Sequence, residues 1–270
     1  MDSVNKTLYI PLYGKSAVSR KELFLRDEMA EKIWDAEGFP LKGKARSKWL
    51  AYNMGMRAAV FDRWLEAKLA QLPEAVILHI GCGLDSRVCR VETKGRLWFD
   101  LDFPEVMAER RKYFRETETY RMLSADARKE DWLEEIPEGV PAVVVMEGVS
   151  MYLRLSELQE LLRRLNTHFS QVSLLMDVYT VFAAKATRYK NPINQVGVTE
   201  VYGLDGPDVL TEDTGFRFVQ EHDLTPEDMI LQLHKREQGF FRAMFAGGLA
   251  KKIYRLYEFA GLPQNLRKTD

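Results

Sequence analysis

The amino-acid sequence predicts an α/β fold: a mostly parallel sheet covered by helices on both faces, behind a helical segment at residues 1–72. Three observations carry this. Short apolar runs rich in branched residues alternate with helical patterns between residues 75 and 178, and strands joined by helical crossovers lie parallel. The first 72 residues show helical spacing instead. A tight Gly81-Cys-Gly83 turn comes directly after the first apolar run, as where a buried strand gives way to a ligand-facing loop.

In the N-terminal segment, Leu50, Met54, Arg57, Phe61, Trp64, Leu65, Leu69 and Leu72 recur at three- and four-residue steps. They form the inward face of one long helix, which Pro73 ends. Arg57 puts a charge on that face, where it is costly unless paired. Ala75–Ile80 reads as the first strand. Leu97–Phe99 is the second, and the helix after it has Pro104 in its first turn and Met107, Arg111 and Phe114 on one side. The run Glu109-Arg-Arg-Lys112 reads as the solvated part of that helix. Tyr120–Ser124 and Ala142–Met146 are the third and fourth strands. Ser156 and Gln159 then show capping-box spacing before a stripe of Leu158, Leu161, Leu162 and Leu165. Val172–Val178 is the fifth strand.

From residue 180 to 215 periodicity is lost while glycine and proline accumulate, the mark of an insertion that shapes a binding site. Among its aromatics and their neighbours, Tyr152, Tyr179, Phe182 and Tyr189 are candidates to line an acceptor pocket, although Tyr152 and Tyr179 fit a core equally well. Phe216–His222 is a sixth strand. Ile253–Phe259 fits either a strand or a helix, because Ile253, Leu256 and Tyr257 also match a period of 3.6. The chain thus divides into a helical cap at 1–72, contributing to the site, and a core at 73–270.

Composition excludes several classes of function. With 39 basic and 40 acidic side chains the net charge is -1, so no basic excess exists to neutralise a nucleic-acid backbone. No apolar run reaches the roughly 18 residues that a membrane-spanning helix needs, and the first residues lack a signal-peptide layout. Two cysteines, Cys82 and Cys89, build no disulfide framework and point to a reducing, cytoplasmic setting. His168, His222 and His234 have no metal-ligand spacing with each other or with the cysteines, so no metal is expected.

The glycine turn carries the chemistry. Two glycines one residue apart let the backbone approach a ligand closely. Asp100 and Asp102 end the second strand, and Asp102 lies 19 residues past Gly83, near the spacing of about 20 for a ribose-binding carboxylate. A dinucleotide would put its pyrophosphate behind a third glycine, but Ser86 stands there and Asp85 fills the turn. An anion beside a pyrophosphate repels it. A phosphate-free cofactor carrying an amine and a sulfonium, S-adenosylmethionine, tolerates it.

Several segments together resemble the leucine carboxyl methyltransferase family, and within it a bacterial branch of polyketide O-methyltransferases. They are Gly81-Cys-Gly-Leu-Asp-Ser-Arg87, Trp98-Phe-Asp-Leu-Asp-Phe-Pro-Glu-Val106, Ser124-Ala-Asp-Ala-Arg128 and Met146-Glu-Gly-Val-Ser-Met-Tyr-Leu153, with Leu8–Ser16 and Arg57–Asp62 before them. The resemblance runs from about Thr7 to Val178 and thins beyond. It implies a class I methyltransferase-like Rossmann fold: a seven-stranded, mostly parallel sheet with an antiparallel last strand, plus the N-terminal helical cap. It implies S-adenosylmethionine as cofactor, with Lys15 and Arg57 on its methionine carboxylate and Gly81 and Gly83 beneath its methionine part. Asp102, with Asp100 beside it, would serve the ribose, and Asp126 and Ala127 the adenine. Glu147 would face the cofactor's amino group or the acceptor.

The implied reaction is methyl transfer to a carboxylate or phenolic oxygen of a small-molecule or peptide acceptor, with no nucleic-acid or membrane partner. No residue stands out as a general base. A non-catalytic cofactor-binding regulator and, with less support, a nicotinamide-dependent oxidoreductase are the alternatives. His79 reads as a core histidine and Cys82 as a packing residue. For Arg57 two readings compete. In one it awaits the cofactor carboxylate, facing Lys15 across an emptier pocket when no cofactor is bound. In the other it belongs to a structural ion pair.

Overall fold

In a strand, successive side chains point to opposite faces of the sheet, and here that alternation decides which groups meet the N-terminal helices. The computed structural model describes residues 8–41, 43–187 and 201–261. Seven strands, β1 (Val76–Ile80), β2 (Trp98–Asp102), β3 (Tyr120–Ser124), β4 (Pro141–Met146), β5 (Gln171–Tyr179), β6 (Phe216–His222) and β7 (Tyr254–Gly261), form one sheet of order β3-β2-β1-β4-β5-β7-β6. The first five run parallel, with Leu78 opposite both Phe99 and Val144. β7 is antiparallel to β5 on one side and to β6 on the other, so the reversed strand expected from the family resemblance is present, one place in from the edge. The segment Ile253–Phe259, open between strand and helix, is a strand.

The N-terminal helices α1 (Tyr9–Ser19), α2 (Glu28–Glu37) and α3 (Lys48–Gln71) cover one face, sharing a hydrophobic cluster with Ile77, Trp98, Val143, Val145 and Leu175. On the other face, Leu78, Phe99, Val144 and Leu174 pack with Leu158, Leu161, Leu162 and Leu165. These leucines belong to α6 (Leu155–His168), which comes after the short helices α4 (Arg87–Arg90) and α5 (Pro104–Arg110). The capping box at the start of α6 is displaced from the expected pair. Glu157, rather than Gln159, accepts the backbone N–H of the N-cap residue, Arg154, at 2.8 Å.

The helix after β2 is shorter than its apolar spacing suggests, ending at Arg110, and the run Glu109–Lys112 is not uniformly solvated: Arg110 is fully buried. The insertion at 180–215 opens with α7 (Val181–Thr187), and residues 188–200, including Tyr189, lie outside the described residues. Where the chain is described again, Tyr202 donates its N–H to Met151 O and Leu204 to Tyr179 O, both at 2.8 Å. The insertion therefore returns across the carboxyl ends of β4 and β5. Between β6 and β7 the chain forms α8 (Glu227–Ile230), α9 (Lys235–Phe241), a π-helical turn at Arg242–Ala246 and α10 (Gly248–Lys251). Among the described residues no helix is long and apolar enough to cross a membrane.

The cap is seated by glycines. A Cβ on Gly14 of α1 would lie 2.6 Å from Met54 Cβ, and one on Gly55 of α3 would lie 2.6 Å from Val18 Cγ2. The two helices thus cross with their backbones too close for a methyl group. Gly55→Ala should lower stability by about 1–3 kcal/mol through overpacking, despite alanine's better helix propensity. Denaturant unfolding measures this; a variant as stable as the parent would mean that the crossing yields easily.

Candidate functional site

Ligands of open α/β sheets bind at the carboxyl ends of the strands, where strand order reverses. Here the reversal lies between β1 and β4, the strands that lead into the glycine turn and into Glu147. Gly81 and Gly83 adopt φ of +66° and +53°, which residues with a Cβ rarely do. A Cβ at Gly81 would lie 2.2 Å from Val149 Cγ2, and one at Gly83 would lie 2.8 Å from Leu8 Cδ2. The turn is anchored to β2, since Gly81 N–H donates to Leu101 O at 2.7 Å and Gly83 N–H to Asp102 Oδ2 at 2.8 Å.

Over this turn lies a cavity of about 350 Å³, bounded by Lys15 of α1, the Leu50–Asn53–Met54–Arg57 face of α3, the glycine turn, Glu147, Tyr179 and Tyr254. The charged groups on the cap and glycine-turn side of it, Lys15, Arg57, Asp85 and Glu147, are buried and interlocked, whereas Glu221, Asp223, Lys251 and Arg255 form exposed pairs at its rim. Lys15 Nζ lies 2.8 Å from Asp85 Oδ2. Arg57 Nε donates to Glu147 Oε1 at 3.0 Å, and its Nη1 donates to Asp177 Oδ2 at 3.0 Å and to the Tyr254 hydroxyl at 2.7 Å. That hydroxyl in turn donates to Asp177. Arg87, fully buried, reaches Glu147 Oε2 at 2.5 Å and Asp62 Oδ1 at 2.6 Å.

Burial opposes ionisation of Glu147, but the charges of Arg57, Arg87 and Lys15 outweigh it and hold the carboxyl at about 2. Asp85 is likewise held well below the usual range, burial being overcome by Arg87, Arg90 and Lys15. Asp177 goes the other way. Burial, with the Glu147 charge adding to it, pushes its carboxyl up even though Arg57 and Tyr254 touch it, because Arg57 is shared with Glu147.

The cavity thus brings together Lys15, Arg57, Gly81, Gly83 and Glu147 of the residues expected from sequence. It also contains Tyr152 and Tyr179. Phe182 is 63% exposed and absent from the lining, so the acceptor-pocket expectation fails for it. The two-cation picture of the ligand-free site fails as well: Lys15 and Arg57 are each neutralised by carboxylates, and Arg57 makes the ion pairs of the competing reading.

Asp100 is corrected too. Its carboxylate is fully buried and turned away from the cavity, taken up by Arg110, by the Tyr120 hydroxyl at 2.6 Å and by Trp98 Nε1 at 2.7 Å. Asp102, Asp126 and Ala127 lie outside the cavity lining, toward β3. Asp102 accepts the N–H groups of Gly83 and Phe103, both at 2.8 Å, and its backbone carbonyl accepts Ala125 N–H at 3.0 Å. Asp126 is paired with Arg128 at 2.6 Å.

His79 behaves as a buried structural group. Arginine can only donate, so the 3.2 Å contact from Arg87 Nη1 makes Nε2 an acceptor and leaves the proton on Nδ1, 3.5 Å from Asp100 Oδ1. Burial lowers its pKa and, in the opposite sense for an acid, raises the Cys82 thiol. Neither group is an activated catalyst. Among the described residues no cluster of His, Cys, Asp or Glu could hold a metal. Sequence reasoning missed Asp62, Arg87, Asp177 and Tyr254. For Asp177 a signal existed: a lone carboxylate on one face of an otherwise apolar strand.

The sheet order, the reversed β7, the glycine turn and the acid closing β2 define a class I methyltransferase fold. Residues 12–166 match the family model for leucine carboxyl methyltransferase, and the chain belongs to that family. It is 35% identical over 167 residues to the tetracenomycin polyketide synthesis O-methyltransferase TcmP of Streptomyces glaucescens, covering 61% of this chain and 62% of that one. It is 34% identical over 135 residues to the S-adenosyl-L-methionine-dependent methyltransferase dpfgK of Gibberella zeae, covering 47% and 45%. The matched segment therefore spans about three-fifths of the first relative and under half of the second. The magnesium protoporphyrin IX methyltransferase ChlM of Synechocystis, solved with bound SAM, shares the fold with a TM-score of 0.51 at 13% identity, covering 87% of this chain and 90% of that one.

Because Arg57 is wedged between two buried carboxylates, Arg57→Met should destabilise the ligand-free protein by about 3–5 kcal/mol, the cost of leaving buried charge uncompensated. Thermal or denaturant unfolding without ligand tests this. Unchanged stability would restore the reading in which Arg57 has no protein partner of consequence.

Proposed function

We propose that this protein is an S-adenosylmethionine-dependent O-methyltransferase acting on a small-molecule acceptor. The observation that carries the proposal is the presence of both charge signs in one small cavity above a glycine turn: Lys15 and Arg57 with Asp85 and Glu147. An amino-acid zwitterion needs such a donor set, cations for its carboxylate and a carboxylate for its ammonium. The residues therefore fit the methionine part of the cofactor. Asp102 suits the ribose, since each of its oxygens accepts one backbone N–H and keeps capacity for another hydrogen bond. Asp126 and Ala127, beside it at the end of β3, remain the proposed adenine contacts.

The bound cofactor would supply a methyl group activated by its sulfonium. What remains for the protein is to orient the acceptor oxygen and exclude water. Tyr254 is no base: burial and the neighbouring Asp177 charge raise its pKa well above the usual value, against the effect of Arg57. Glu147, held at about 2, is too weak a base for a phenol. Alignment and charge placement are thus the protein's own contribution. Asp85, buried against the turn, also disfavours the pyrophosphate of a nicotinamide dinucleotide. S-adenosylmethionine and its demethylated product, but not NAD, should raise the melting temperature, by an amount set by ligand excess over Kd. Transfer of labelled methyl groups to a metabolite pool separates an enzyme from a regulator that only binds the cofactor.

A pH dependence arises from Asp102, whose carboxyl burial pushes up to about 6, against the pull of the Gly83 and Phe103 N–H groups and Arg110. Raising an acid's pKa on folding imposes a stability cost that is fully present above pH 6 and relieved as the pH falls toward 4. The ribose contact works with the opposite sign, because the ionised carboxylate is the better acceptor. Cofactor affinity should therefore weaken as the pH drops through 6, and Asp102→Asn should bind more weakly at pH 7.5 but lose that pH dependence. Calorimetric titrations at pH 5.5 and 7.5 check this, and parallel pH profiles for both proteins would remove Asp102 from the site.

A further inference from the structure

We propose that His222 positions the methyl acceptor: braced by the buried Glu258, it takes up a proton as it binds an anionic oxygen of that acceptor at the sheet-edge end of the cavity. The inference rests on the methyltransferase reading and adds an acceptor-side residue to it. Alternation alone would send His222 to the other face of the sheet. Phe218, on the same strand, packs against the α6 side, and residues two and four further on would follow it. A bulge between Phe218 and Gln220 shifts the register of β6 on β7, so that Phe218 lies opposite Phe259 and Gln220 opposite Glu258. Bulges re-aim side chains and are common beside active sites. Here Gln220 and His222 turn to the cap side, and His222 enters the cavity lining.

Under the cap, the carboxylate of Glu258 is buried and meets three donors. Lys68 of α3 and His222 Nε2 each reach it at 2.6 Å, and Gln220 Nε2 at 3.0 Å. Burial opposes ionisation of Glu258, but the hydrogen bonds from His222, Lys68 and Gln220 outweigh it and hold the carboxyl at about 2. An ionised carboxylate only accepts, so Nε2 carries a proton and the ring is fixed in orientation. Among the described residues no protein group bonds the other nitrogen, Nδ1, and it is open to solvent. His222 therefore borders the cavity with one nitrogen committed and one available.

The place of His222 in the sheet assigns it to the acceptor rather than the cofactor. Glu147 follows β4, and β5 and β7 lie between β4 and β6, so β6 stands three strand spacings away, about 14 Å. Around His222 the lining includes Leu224, Met244 and Phe245, apolar surface suited to a planar ring system. Its charged neighbours are balanced. Lys68 offsets Glu258, while Asp223 with Lys251 of α10, and Glu221 with Arg255 of β7, form exposed rim pairs of little energetic weight. A neutral His222 adds no charge, and its bare Nδ1 would turn a lone pair toward an oxyanion. With a second proton, the same nitrogen donates a charge-assisted hydrogen bond and brings a positive charge to this end of the cavity. Proton uptake and anion binding are therefore linked.

Sinefungin, a stable analogue with an amine where the cofactor has its sulfonium, is bound first and kept saturating. 2-Naphthoate, an ionised carboxylate throughout, is then titrated calorimetrically between about pH 6 and 8.5 in buffers of different ionisation enthalpy, which counts the protons taken up. Affinity should fall about tenfold from the acid to the alkaline end, and uptake should peak at about half a proton per ligand or more, the value linked to a tenfold change. His222→Gln keeps a donor for Glu258 but cannot take a proton. It should bind sinefungin as the parent does, bind naphthoate about tenfold more weakly at about pH 6, and show no uptake. If His222 only holds the sheet edge together, both proteins will share one pH profile, which overturns the proposal, as does naphthoate that binds without uptake or not at all. Failure of sinefungin itself to bind the parent protein overturns the cofactor reading and this inference with it, and is recognisable because it precedes the second titration.

Discussion

Glu147 is held by two arginines at once, Arg57 from the cap helix α3 and Arg87 from the segment after the glycine turn, and this shared contact organises the interface between cap and sheet. Around it, Lys15, Arg57, Arg87 and Arg90 face Asp27, Asp62, Asp85, Glu147 and Asp177. Four cations thus meet five carboxylates. On Asp177 burial prevails and pushes the carboxyl up, whereas the cations outweigh it on Asp85 and Glu147; Tyr254 and the Gly148 N–H, at 2.7 Å, serve Asp177 as neutral donors. A buried network of this kind adds little net stability compared with an apolar core, but losing one member is expensive. Its worth lies in fixing where the helices sit.

Most of these pairs cross between the cap and the strands or loops after residue 72; Arg87–Glu147 and Arg90–Asp85 lie within the latter. Lys15, Asp27, Arg57 and Asp62 belong to the N-terminal segment, whereas Asp85, Arg87, Arg90, Glu147 and Asp177 belong to the sheet strands and their loops. The hydrophobic cluster is equally continuous, from Val18 and Phe61 through Ile77 to Leu175. The division at residue 72 therefore marks a change in secondary structure rather than a gap in packing. Cap and sheet build the cavity jointly, since its floor is the glycine turn and one wall is the Leu50–Asn53–Met54–Arg57 face of α3.

The strands are legible in the sequence because branched apolar runs bounded by Gly and Pro leave few alternatives, and the long helix because its stripe is regular. The polar interface is not, because it is written in single residues inside apolar runs. His79, Asp100, Asp177 and Glu258 each occupy the strand face that also carries Ile77, Trp98, Leu175 and Leu256, so alternation places all of them under the cap. Read one at a time, Asp100 looks like a companion of Asp102. Its neighbour Arg110, hidden in a run of charges, looks solvated. Only the fold shows that the two neutralise each other. Lys15 and Arg57 emerge as site residues through family resemblance, whereas their partners Asp85 and Asp177 require the three-dimensional arrangement.

That arrangement changes how the proposed cofactor would enter. Arg57 and Lys15 are not open cations waiting for a carboxylate, so a simple anion would add a charge to an interface already one negative charge in excess, and a simple cation would have to compete with arginines for Glu147. A zwitterion does neither. Its carboxylate can share Arg57 and Lys15 while its ammonium compensates Glu147 and Asp85, so the interface keeps its net charge and each protein group exchanges one partner for another. On the proposed reading the buried network would be a template for the methionine part of the cofactor, with the protein's own carboxylates holding Lys15 and Arg57 in its absence.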